Sequence, residues 1–402
     1  MKIVERSIES AIVCALAQFP SIVLTGPRRA GKTFLLRHLF PKATYVQLED
    51  PDILQLVKDD PRSFLDELKL PVIIDEVQQA PELFAYIRSR IDAQPDVNGQ
   101  WILTGSQESL LMDGVSESMA GRAAILRLAP FSSYEDSRVN AFKGGYPEAL
   151  TAGAGRTLWF SSYVQTYLER DVRSILAVRN LSVFHRFLKV LATRHGQMLN
   201  KTAMASPLGV SVPTLTEWIG VLEISGIVKL VYPYFRNAGK RLVKTPKLYF
   251  LDSGLVCHLL GIQSREELVR SPFYGAIFEG FVISETLKSQ WARAEEGDVY
   301  YFRDEQGLEV DLVVASHAGT VTLAECKTSA TISPQMSEPM RRLAKAFASD
   351  GLDVAMQLIY KPNEATLRVP TAGSGVQALS CREFVQGLYG KSCPSRLGFA
   401  RQ

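Results

Sequence analysis

Long apolar runs are missing from this 402-residue sequence. No stretch approaches the roughly 20 consecutive apolar residues that a membrane-spanning helix needs. A secretory leader is not apparent either, since the apolar stretch from Ala11 to Ala17 is short and is followed directly by Gln18. We therefore expect a soluble globular protein that works in the cytoplasm and does not bind a membrane.

Cysteine is scarce, and the net charge is small. The five cysteines are scattered, and no two of them form a CxxC pair. This argues against a disulfide framework or a zinc knuckle and is typical of a reducing compartment. The formal net charge of +3 gives no general signal for nucleic-acid binding, so any surface of that kind must be local. The cysteines are Cys14, Cys257, Cys326, Cys381 and Cys393.

The chain is too long for one ordinary core. It divides into three zones that differ in their pattern of apolar and polar residues. In the first zone, short apolar runs alternate with amphipathic helices, as in an α/β sheet. The second zone is mostly helical in period, and the third returns to mixed helix and strand. Gly153–Gly155 and the Ser271-Pro272 pair suit linkers. We predict an α/β protein with domains at residues 1–140, 155–265 and 270–402.

A glycine-rich loop follows the apolar run Ser21–Leu24 and leads into an apolar-faced helix. Residues 26–33 match the pattern G-x-x-x-x-G-K-[ST]. The glycines let the loop curl so that its N–H groups face phosphate oxygens, and the helix start adds positive potential. The alternative is an ordinary glycine-rich turn. The predicted nucleotide-binding residues are Gly26, Arg28, Arg29, Ala30, Gly31, Lys32, Thr33 and Phe34.

Within this motif and the next strand, four residues receive separate roles. Lys32 is expected to contact the β and γ phosphates, and Thr33 to ligate Mg²⁺. The apolar run Leu70–Ile74 ends in Asp75 and Glu76. Asp75 is predicted to hold the Mg²⁺ through water, and Glu76 to polarise the attacking water. In a chain without a phosphate-binding loop, such a pair of carboxylates is usually a solvated strand end. Here the glycine-rich loop precedes the pair, and it favours the catalytic interpretation.

Polar residues follow a third strand, Trp101–Thr104. Ser106 is our first candidate for a contact with the γ-phosphate or the lytic water, and Thr104 is the second. An inert polar strand end is the alternative for both residues.

Arg122 precedes the predicted strand Ala123–Leu128. Its guanidinium is predicted to stabilise charge on the γ-phosphate, within the same chain or from a neighbouring subunit. A surface salt bridge is the alternative. Arg28 and Arg29 are alternative sources of the phosphate contact.

The second zone contains a helix, a turn, a helix capped by Ser211 and two strands, which is the order of a winged helix. The segment between the strands, Arg236–Lys244, is basic. A DNA interpretation places the helix Val212–Leu222 in the major groove and the basic segment on phosphates. Glu217 on that helix opposes this interpretation, and a protein-binding or spacer module is the alternative.

Charged residues of the third zone gather on two predicted strands. Glu325 and Lys327 lie two residues apart and therefore share a face, and Asp311 belongs to the strand before. Two carboxylates that bind Mg²⁺ or Mn²⁺, with a lysine that orients water, suit phosphodiester hydrolysis. A plain ion-pair cluster is the alternative.

Several stretches of the sequence resemble the AAA-type branch of P-loop ATPases. More narrowly, the chain is similar to a large prokaryotic family that joins this module to a C-terminal domain of unknown function. The resemblance covers most of the chain and implies ATP as the nucleotide, a winged helix and a nuclease-like tail. It rests on residues 26–33, Ile74–Gln78 with Pro81–Leu83, Leu103–Ser106, Ala120–Arg122, Tyr167–Val172 and the region from Asp304 to Lys327.

The third zone itself resembles the restriction-endonuclease-like fold. In that fold a helix glutamate, here Glu279, can join the metal site. The resemblance implies metal ligands at Glu279, Asp311 and Glu325 and a catalytic Lys327.

Two functions remain open at this point. The first is an ATP-driven protein that processes DNA, with ATP hydrolysis gating a metal-dependent nuclease. The second is an ATP-dependent switch or scaffold with an inert C-terminal domain and a protein partner. The sequence does not indicate the oligomeric state.

Overall fold

A computed structural model describes residues 3–105, 119–168, 181–234, 244–315, 319–362 and 373–390. The chain divides into two compact units. Unit 1 comprises Met1–Arg194, Asn200–Lys229 and Phe250–Ser264. Unit 2 comprises His195–Leu199, Leu230–Tyr249 and Arg265–Gln402. None of the helices in the described ranges combines the length and the apolar composition that a bilayer crossing requires.

A five-stranded sheet with the order β2-β3-β4-β1-β5 forms the centre of unit 1. Every pair in it is parallel, so all five carboxyl ends lie at the same edge. Alternate residues of β1 enter separate apolar clusters on the two faces, Val23 on one and Ile22 with Leu24 on the other. The strands are β1 Ser21–Thr25, β2 Thr44–Gln47, β3 Val72–Asp75, β4 Trp101–Thr104 and β5 Ala123–Arg127.

Helices cover both faces of this sheet, as expected for parallel strands buried on both sides. Asp50 and Asp60 cap two of them by accepting from backbone N–H groups, and each of those helices begins with proline. The unit 1 helices are α1 Glu9–Gln18, α2 Lys32–Leu39, α3 Pro51–Asp59, α4 Pro61–Asp66, α5 Leu83–Ala93, α6 Pro147–Thr151, α7 Arg156–Tyr163, α8 Leu181–Ala192, α9 Lys201–Leu208, α10 Val212–Ile224 and α11 Ser253–Leu259. Shorter turns are Val77–Gln79, Gly153–Gly155 and Val164–Leu168.

An eight-stranded mixed sheet forms unit 2, with the order β13-β12-β11-β10-β9-β7-β8-β6. The pairs β9–β10 and β10–β11 are antiparallel, and β11–β12 and β12–β13 are parallel. The strands are β6 Gln197–Met198, β7 Val228–Pro233, β8 Lys247–Phe250, β9 Tyr300–Arg303, β10 Glu309–Ala315, β11 Thr320–Lys327, β12 Asp353–Tyr360 and β13 Val376–Ser380. The helices are α12 Arg265–Arg270, α13 Tyr274–Ala292, α14 Glu338–Ser349 and α15 Cys381–Tyr389, with a short turn at Pro334–Ser337.

The fold class predicted from the sequence is confirmed: both units are α/β, the first around a parallel sheet and the second around a mixed one. In the middle zone, Asn200 and Ser211 cap α9 and α10, and β7 and β8 are neighbours in their sheet. Residues 235–243, which include most of the basic segment, lie outside the described residues. The winged helix as a whole stays a prediction.

Candidate nucleotide-binding site

The glycine-rich loop connects β1 to α2 through backbone conformations that favour glycine. Gly26 has φ +139° and Gly31 has φ +99°. A Cβ on Gly26 would lie 2.0 Å from the carbonyl oxygen of Leu128, so no side chain fits there. Arg29 also has a positive φ, +63°, which an L-residue adopts only with strain. The backbone is therefore shaped as a phosphate-binding loop at the carboxyl edge of the sheet.

Lys32 and Thr33 occupy the first turn of α2, and both contact groups at the carboxyl edge. Lys32 is buried, and its Nζ donates to the carbonyl oxygens of Gly26 at 2.8 Å and Pro27 at 3.2 Å. Thr33 Oγ1 donates to Asp75 Oδ2 at 2.7 Å. The loop hydroxyl and the strand-end carboxylate thus lie side by side, as a shared Mg²⁺ site requires.

Asp75 accepts hydrogen bonds from three hydroxyl groups. Tyr45 donates to the same oxygen as Thr33, at 2.9 Å, and Thr104 donates to the other oxygen, Oδ1. Burial and the neighbouring Asp75 raise the pKa of Tyr45 above its ordinary value, so the phenol keeps the proton that it donates. Thr104, our second candidate, is buried beside Asp75 and does not line the cavity, so its contact with a phosphate or the lytic water stays a prediction. Our first candidate, Ser106, lies outside the described residues.

Glu76 lies at the carboxyl end of β3 in a left-handed conformation, with φ +58°. It is 9% exposed and lines the same cavity as Lys32 and Thr33. Its backbone N–H donates to Thr104 Oγ1 at 3.2 Å, and its side chain accepts from Gln78 Nε2. A buried carboxylate held by a fixed donor beside the loop is suited to orienting a water molecule.

The cavity at this edge has a volume of about 560 Å³. It brings together Asp75, Glu76 and all the predicted loop residues except Gly26. Phe34, one of these loop residues, is 53% exposed and stacks on His38 with ring centres 6.3 Å apart. The residues fit a Mg²⁺–nucleotide, since the loop, the hydroxyl and the carboxylate all face one space. Lining residues that sequence reasoning missed include Arg6, Tyr45, Glu49, Phe131, Arg138, Glu148 and Thr151.

The two arginines of the loop have carboxylate partners at the cavity wall. Arg28 Nη1 lies 3.2 Å from Glu49 Oε1, and its side chain is only 8% exposed. Arg29 Nη1 lies 3.0 Å from Glu148 Oε1, and both of those side chains are about half exposed.

Arg6 is a buried residue that links the segment before α1 to the loop. Its guanidinium donates to the carbonyl oxygens of Ala30 at 3.1 Å and Ala129 at 2.6 Å and pairs with Glu135 at 3.2 Å. Burial would raise the pKa of Glu135, but Arg6 and the N–H groups of Ser132 and Ser7 hold it below its usual value. Glu135 is therefore charged, and the pair fixes the outer wall of the loop.

Arg122 is not brought to this cavity within the chain. It precedes β5, and its carbonyl oxygen accepts from Ser21 N at 3.2 Å, at the amino edge of the parallel sheet. Its guanidinium pairs with Asp92 on α5, with an Nη2 to Oδ2 distance of 3.1 Å. A role within the same chain is therefore incompatible with the topology, because the loop lies at the opposite edge. Action from a neighbouring subunit stays a prediction.

In unit 2, the predicted metal ligands lie near one another on β10, β11 and α13. Leu312 pairs with Ala324, so Asp311 and Glu325 occupy the next opposed positions. Burial, and then Asp311, raise the pKa of Glu325 to about 8, although Lys327 acts in the opposite direction. Burial and Asp311 likewise raise the pKa of Glu279 to about 7.

Each of these carboxylates already has a partner from the protein. Glu325 Oε2 lies 2.6 Å from Lys327 Nζ, and Asp311 Oδ2 accepts from the N–H of Cys326 at 2.9 Å. Glu279 Oε1 lies 3.1 Å from Lys247 Nζ and also accepts from the hydroxyl of Tyr249.

Lys247, which sequence reasoning missed, is the cation at the centre of this cluster. It is 4% exposed, and it contacts both Glu279 and Glu309, the latter at 2.6 Å. In the part of the chain that the structure describes, no three His, Cys, Asp or Glu side chains form a group that could hold a metal ion. The second metal predicted for Glu279, Asp311 and Glu325 is therefore not supported.

Three family models match consecutive parts of the chain. A model described as an AAA domain matches residues 18–136, and two domains of unknown function, DUF8612 and DUF4143, match residues 134–266 and 274–384. The uncharacterized proteins Mb2031c of Mycobacterium bovis and Rv2008c of Mycobacterium tuberculosis are each 32% identical over 350 residues. Each match covers 85% of this chain and 77% of the relative.

Solved structures give only distant likenesses. A Walker-type ATPase of Pyrococcus abyssi is 18% identical, with 64% of this chain and 96% of that one covered and a TM-score of 0.39. A RuvB variant of Thermotoga maritima is 16% identical, with 56% and 89% covered and a TM-score of 0.29. AMPPCP-bound DnaA of Aquifex aeolicus is 14% identical, with 54% and 85% covered and a TM-score of 0.27. These likenesses are too distant to assign a role to any residue.

The AAA model spans the strands, the loop and both carboxylates of the cavity. The mycobacterial matches extend over most of both chains. This chain belongs to the prokaryotic family of AAA-type P-loop ATPases that carry a C-terminal domain of unknown function.

Proposed function

We propose that this protein binds ATP with Mg²⁺ at the cavity of unit 1 and hydrolyses it. The observation that carries the proposal is the contact of Thr33 with Asp75, beside the buried Lys32 and Glu76. Lysine, hydroxyl and carboxylate groups meet there beside a glycine-rich loop, with Gly26 and Gly31 at positive φ, that leads into the start of a helix, where a phosphate is favoured.

Each residue has a distinct part in the proposed reaction. Lys32 would exchange the carbonyl oxygens of Gly26 and Pro27 for the β and γ phosphates, and Thr33 with Asp75 would hold the Mg²⁺. The ion neutralises charge on the phosphate oxygens when it is bound. Glu76, positioned by Gln78, orients and polarises the attacking water, and Thr104 fixes the distance between Asp75 and the backbone of Glu76. The adenine preference rests on the family alone.

Nucleotide binding is tested by calorimetry of the purified chain with ATP and Mg²⁺. Lys32→Ala removes the cation that faces two phosphates, so we expect binding to weaken by about 10²-fold or more. Lys42→Ala, an exposed lysine beyond α2, is the matched control and should bind as the wild type does. Unchanged affinity of Lys32→Ala would contradict the proposed site.

For the protein as a whole, we propose an ATP-dependent conformational switch with a protein partner. Its parts would be the predicted domains at residues 1–140, 155–265 and 270–402. Lys247 supports this choice over a nuclease, since it supplies the positive charge that a metal would otherwise bring to Glu279. The acidic Glu217 on α10 also favours a protein surface over DNA.

An ATP-driven nuclease is the second candidate. The opposed positions of Asp311 and Glu325, with Lys327 beside them, favour it. Plasmid cleavage with Mg²⁺ or Mn²⁺, with and without ATP, separates the two candidates. We expect no cleavage; cleavage that Glu325→Gln abolishes would establish the nuclease and overturn the switch.

A further inference from the structure

Glu148 on α6 is shared between the P-loop and an aromatic side chain. Its Oε1 lies 3.0 Å from Arg29 Nη1, and its Oε2 accepts from the indole Nε1 of Trp159 at 2.9 Å. Trp159 in turn stacks on Tyr163, with ring centres 5.2 Å apart and planes 13° apart. One carboxylate therefore joins a loop arginine to the aromatic cluster of α7.

The same two helices have a second, buried attachment to the loop. Tyr163 donates its hydroxyl to the carbonyl oxygen of Arg28 at 3.5 Å and contacts the hydroxyl of Tyr146 at 2.9 Å. Tyr146 and Tyr163 are both almost fully buried. This second attachment does not involve the Arg29 side chain, so it can hold α6 and α7 in place if Arg29 changes partner.

The ion pairs of the two loop arginines with Glu49 and Glu148 differ in their exposure to solvent. The side chains of Arg29 and Glu148 are 46% and 49% exposed, whereas those of Arg28 and Glu49 are 8% and 27% exposed. Exposed ion pairs are weak because water screens them. The strained backbone of Arg29, with φ +63°, places this exchangeable cation at the rim of the cavity that holds Lys32 and Thr33.

We propose that Arg29 is a triphosphate sensor that exchanges Glu148 for the terminal phosphate of a bound nucleoside triphosphate. This inference rests on the proposed ATP binding and adds a mode of regulation to it. A terminal phosphate offers a guanidinium more charge and more acceptor oxygens than one carboxylate does. The exchange releases Glu148 and changes the surroundings of the Trp159 indole. A diphosphate lacks the terminal group and leaves the pair with Glu148 intact.

Tryptophan fluorescence reports the exchange directly, because the sequence has only four tryptophans. In a Glu76→Gln background, which slows turnover, ATP with Mg²⁺ is expected to change the emission and ADP is not. Trp159→Phe should remove the change, which assigns it to α7. Nucleotide binding is measured in parallel by equilibrium dialysis, so that binding and response are separate readouts.

Variants of the ion pair separate sensing from binding. Arg29→Ala should bind ATP without the Trp159 response and lose about tenfold of the preference for ATP over ADP. Glu148→Gln removes the competitor and should bind ATP about two- to fivefold more tightly, with ADP binding unchanged. Asp66→Asn, which removes the partner of Arg90 elsewhere in unit 1, is the matched control and should behave as wild type.

The outcomes distinguish this inference from the proposed function. ATP binding without a Trp159 response, or an equal response to ADP, would show that Arg29 does not make the exchange, and ATP binding would stand. Absence of ATP binding in the wild-type chain would overturn both.

Discussion

Tyr45 illustrates how a residue outside every motif can shape the metal site. Its hydroxyl and that of Thr33 donate to the same oxygen of Asp75. The Arg37 guanidinium also lies over the Tyr45 ring, with its Cζ atom 4.8 Å from the ring centre. We therefore propose that Tyr45 is a positioning residue that would orient the Asp75 carboxylate for the Mg²⁺.

Tyr45→Phe keeps the ring and removes this hydrogen bond to a charged group. We expect the Mg²⁺ concentration for half-maximal ATP turnover to rise about three- to tenfold, while kcat at saturating Mg²⁺ changes little. A magnesium titration of phosphate release checks this, with Tyr86→Phe as the control, since Tyr86 is partly buried against an apolar core of unit 1. Unchanged magnesium dependence would remove Tyr45 from the site.

The carboxylates of unit 2 make its stability depend on pH. Glu325 has an ordinary pKa of 4.5 and a folded-state pKa of about 8, because burial and Asp311 favour the protonated form. Between these values the folded chain binds more protons than the unfolded chain does. The contribution of the Glu325 titration to the free energy of unfolding is therefore fully present below about pH 4.5, and it is lost as the pH rises through about 8.

Glu325→Gln removes this titration. We expect the difference in unfolding temperature, variant minus wild type, to be larger at pH 8 than at pH 5. Thermal unfolding followed by circular dichroism at both pH values measures the difference. Glu305→Gln, which changes an exposed glutamate near β9, is the matched control for the loss of a carboxylate. A constant difference for Glu325→Gln would contradict the raised pKa.

At the level of elements, the turn between β1 and α2 is the most constrained part of the site. The backbone of Gly26 approaches Leu128 just beyond β5, so the loop is fixed by the packing of two neighbouring strands. This close approach constrains the conformation of the loop at Gly26.

Gly26→Ala places a methyl group against the Leu128 carbonyl and adds backbone strain at φ +139°. We expect loss of ATP binding and an unfolding free energy lower by more than about 1 kcal/mol. Gly121→Ala is the matched control, since Gly121 also has a positive φ, +74°, but nothing lies within 4 Å of its Cβ position. Calorimetry and denaturant unfolding measure both effects. Normal ATP binding by Gly26→Ala would contradict the close packing.

The site residues that the sequence predicts best are local in the chain. The strand, the glycine loop and the helix follow one another within residues 21–39, and their spacing alone predicts the site. Arg6, Tyr45 and Lys247 reach their partners only through the tertiary fold, with Arg6 more than a hundred residues from Glu135. No short sequence pattern identifies such residues, because the sequence around them does not distinguish a site residue from any other buried arginine, tyrosine or lysine.

The strand topology also decides a point about Arg122 that its position in the sequence left open, namely whether it acts within its own chain. The residue before a parallel strand lies at the amino edge, and the loop after β1 lies at the carboxyl edge. The pairing of strands therefore separates Arg122 from the loop, which spacing along the sequence does not reveal.

At the level of the whole molecule, Arg122 can reach the γ-phosphate only of a neighbouring subunit. If it does, wild-type turnover per chain should rise with protein concentration, and Arg122→Ala should abolish that rise. Asp92→Asn keeps the guanidinium and should preserve the rise. Phosphate release over a hundredfold dilution series checks this; turnover per chain that is independent of concentration would contradict a role between subunits.

Whether this cavity is an ATPase site is tested by measuring phosphate release from ATP, and ATP binding, for the wild type and for Glu76→Gln. We expect the wild type to release phosphate, and Glu76→Gln to bind ATP but turn it over at least about 10²-fold more slowly, because the general base is gone. Normal turnover by Glu76→Gln, or no turnover by the wild type despite ATP binding, would contradict the assignment of this cavity as an ATPase site.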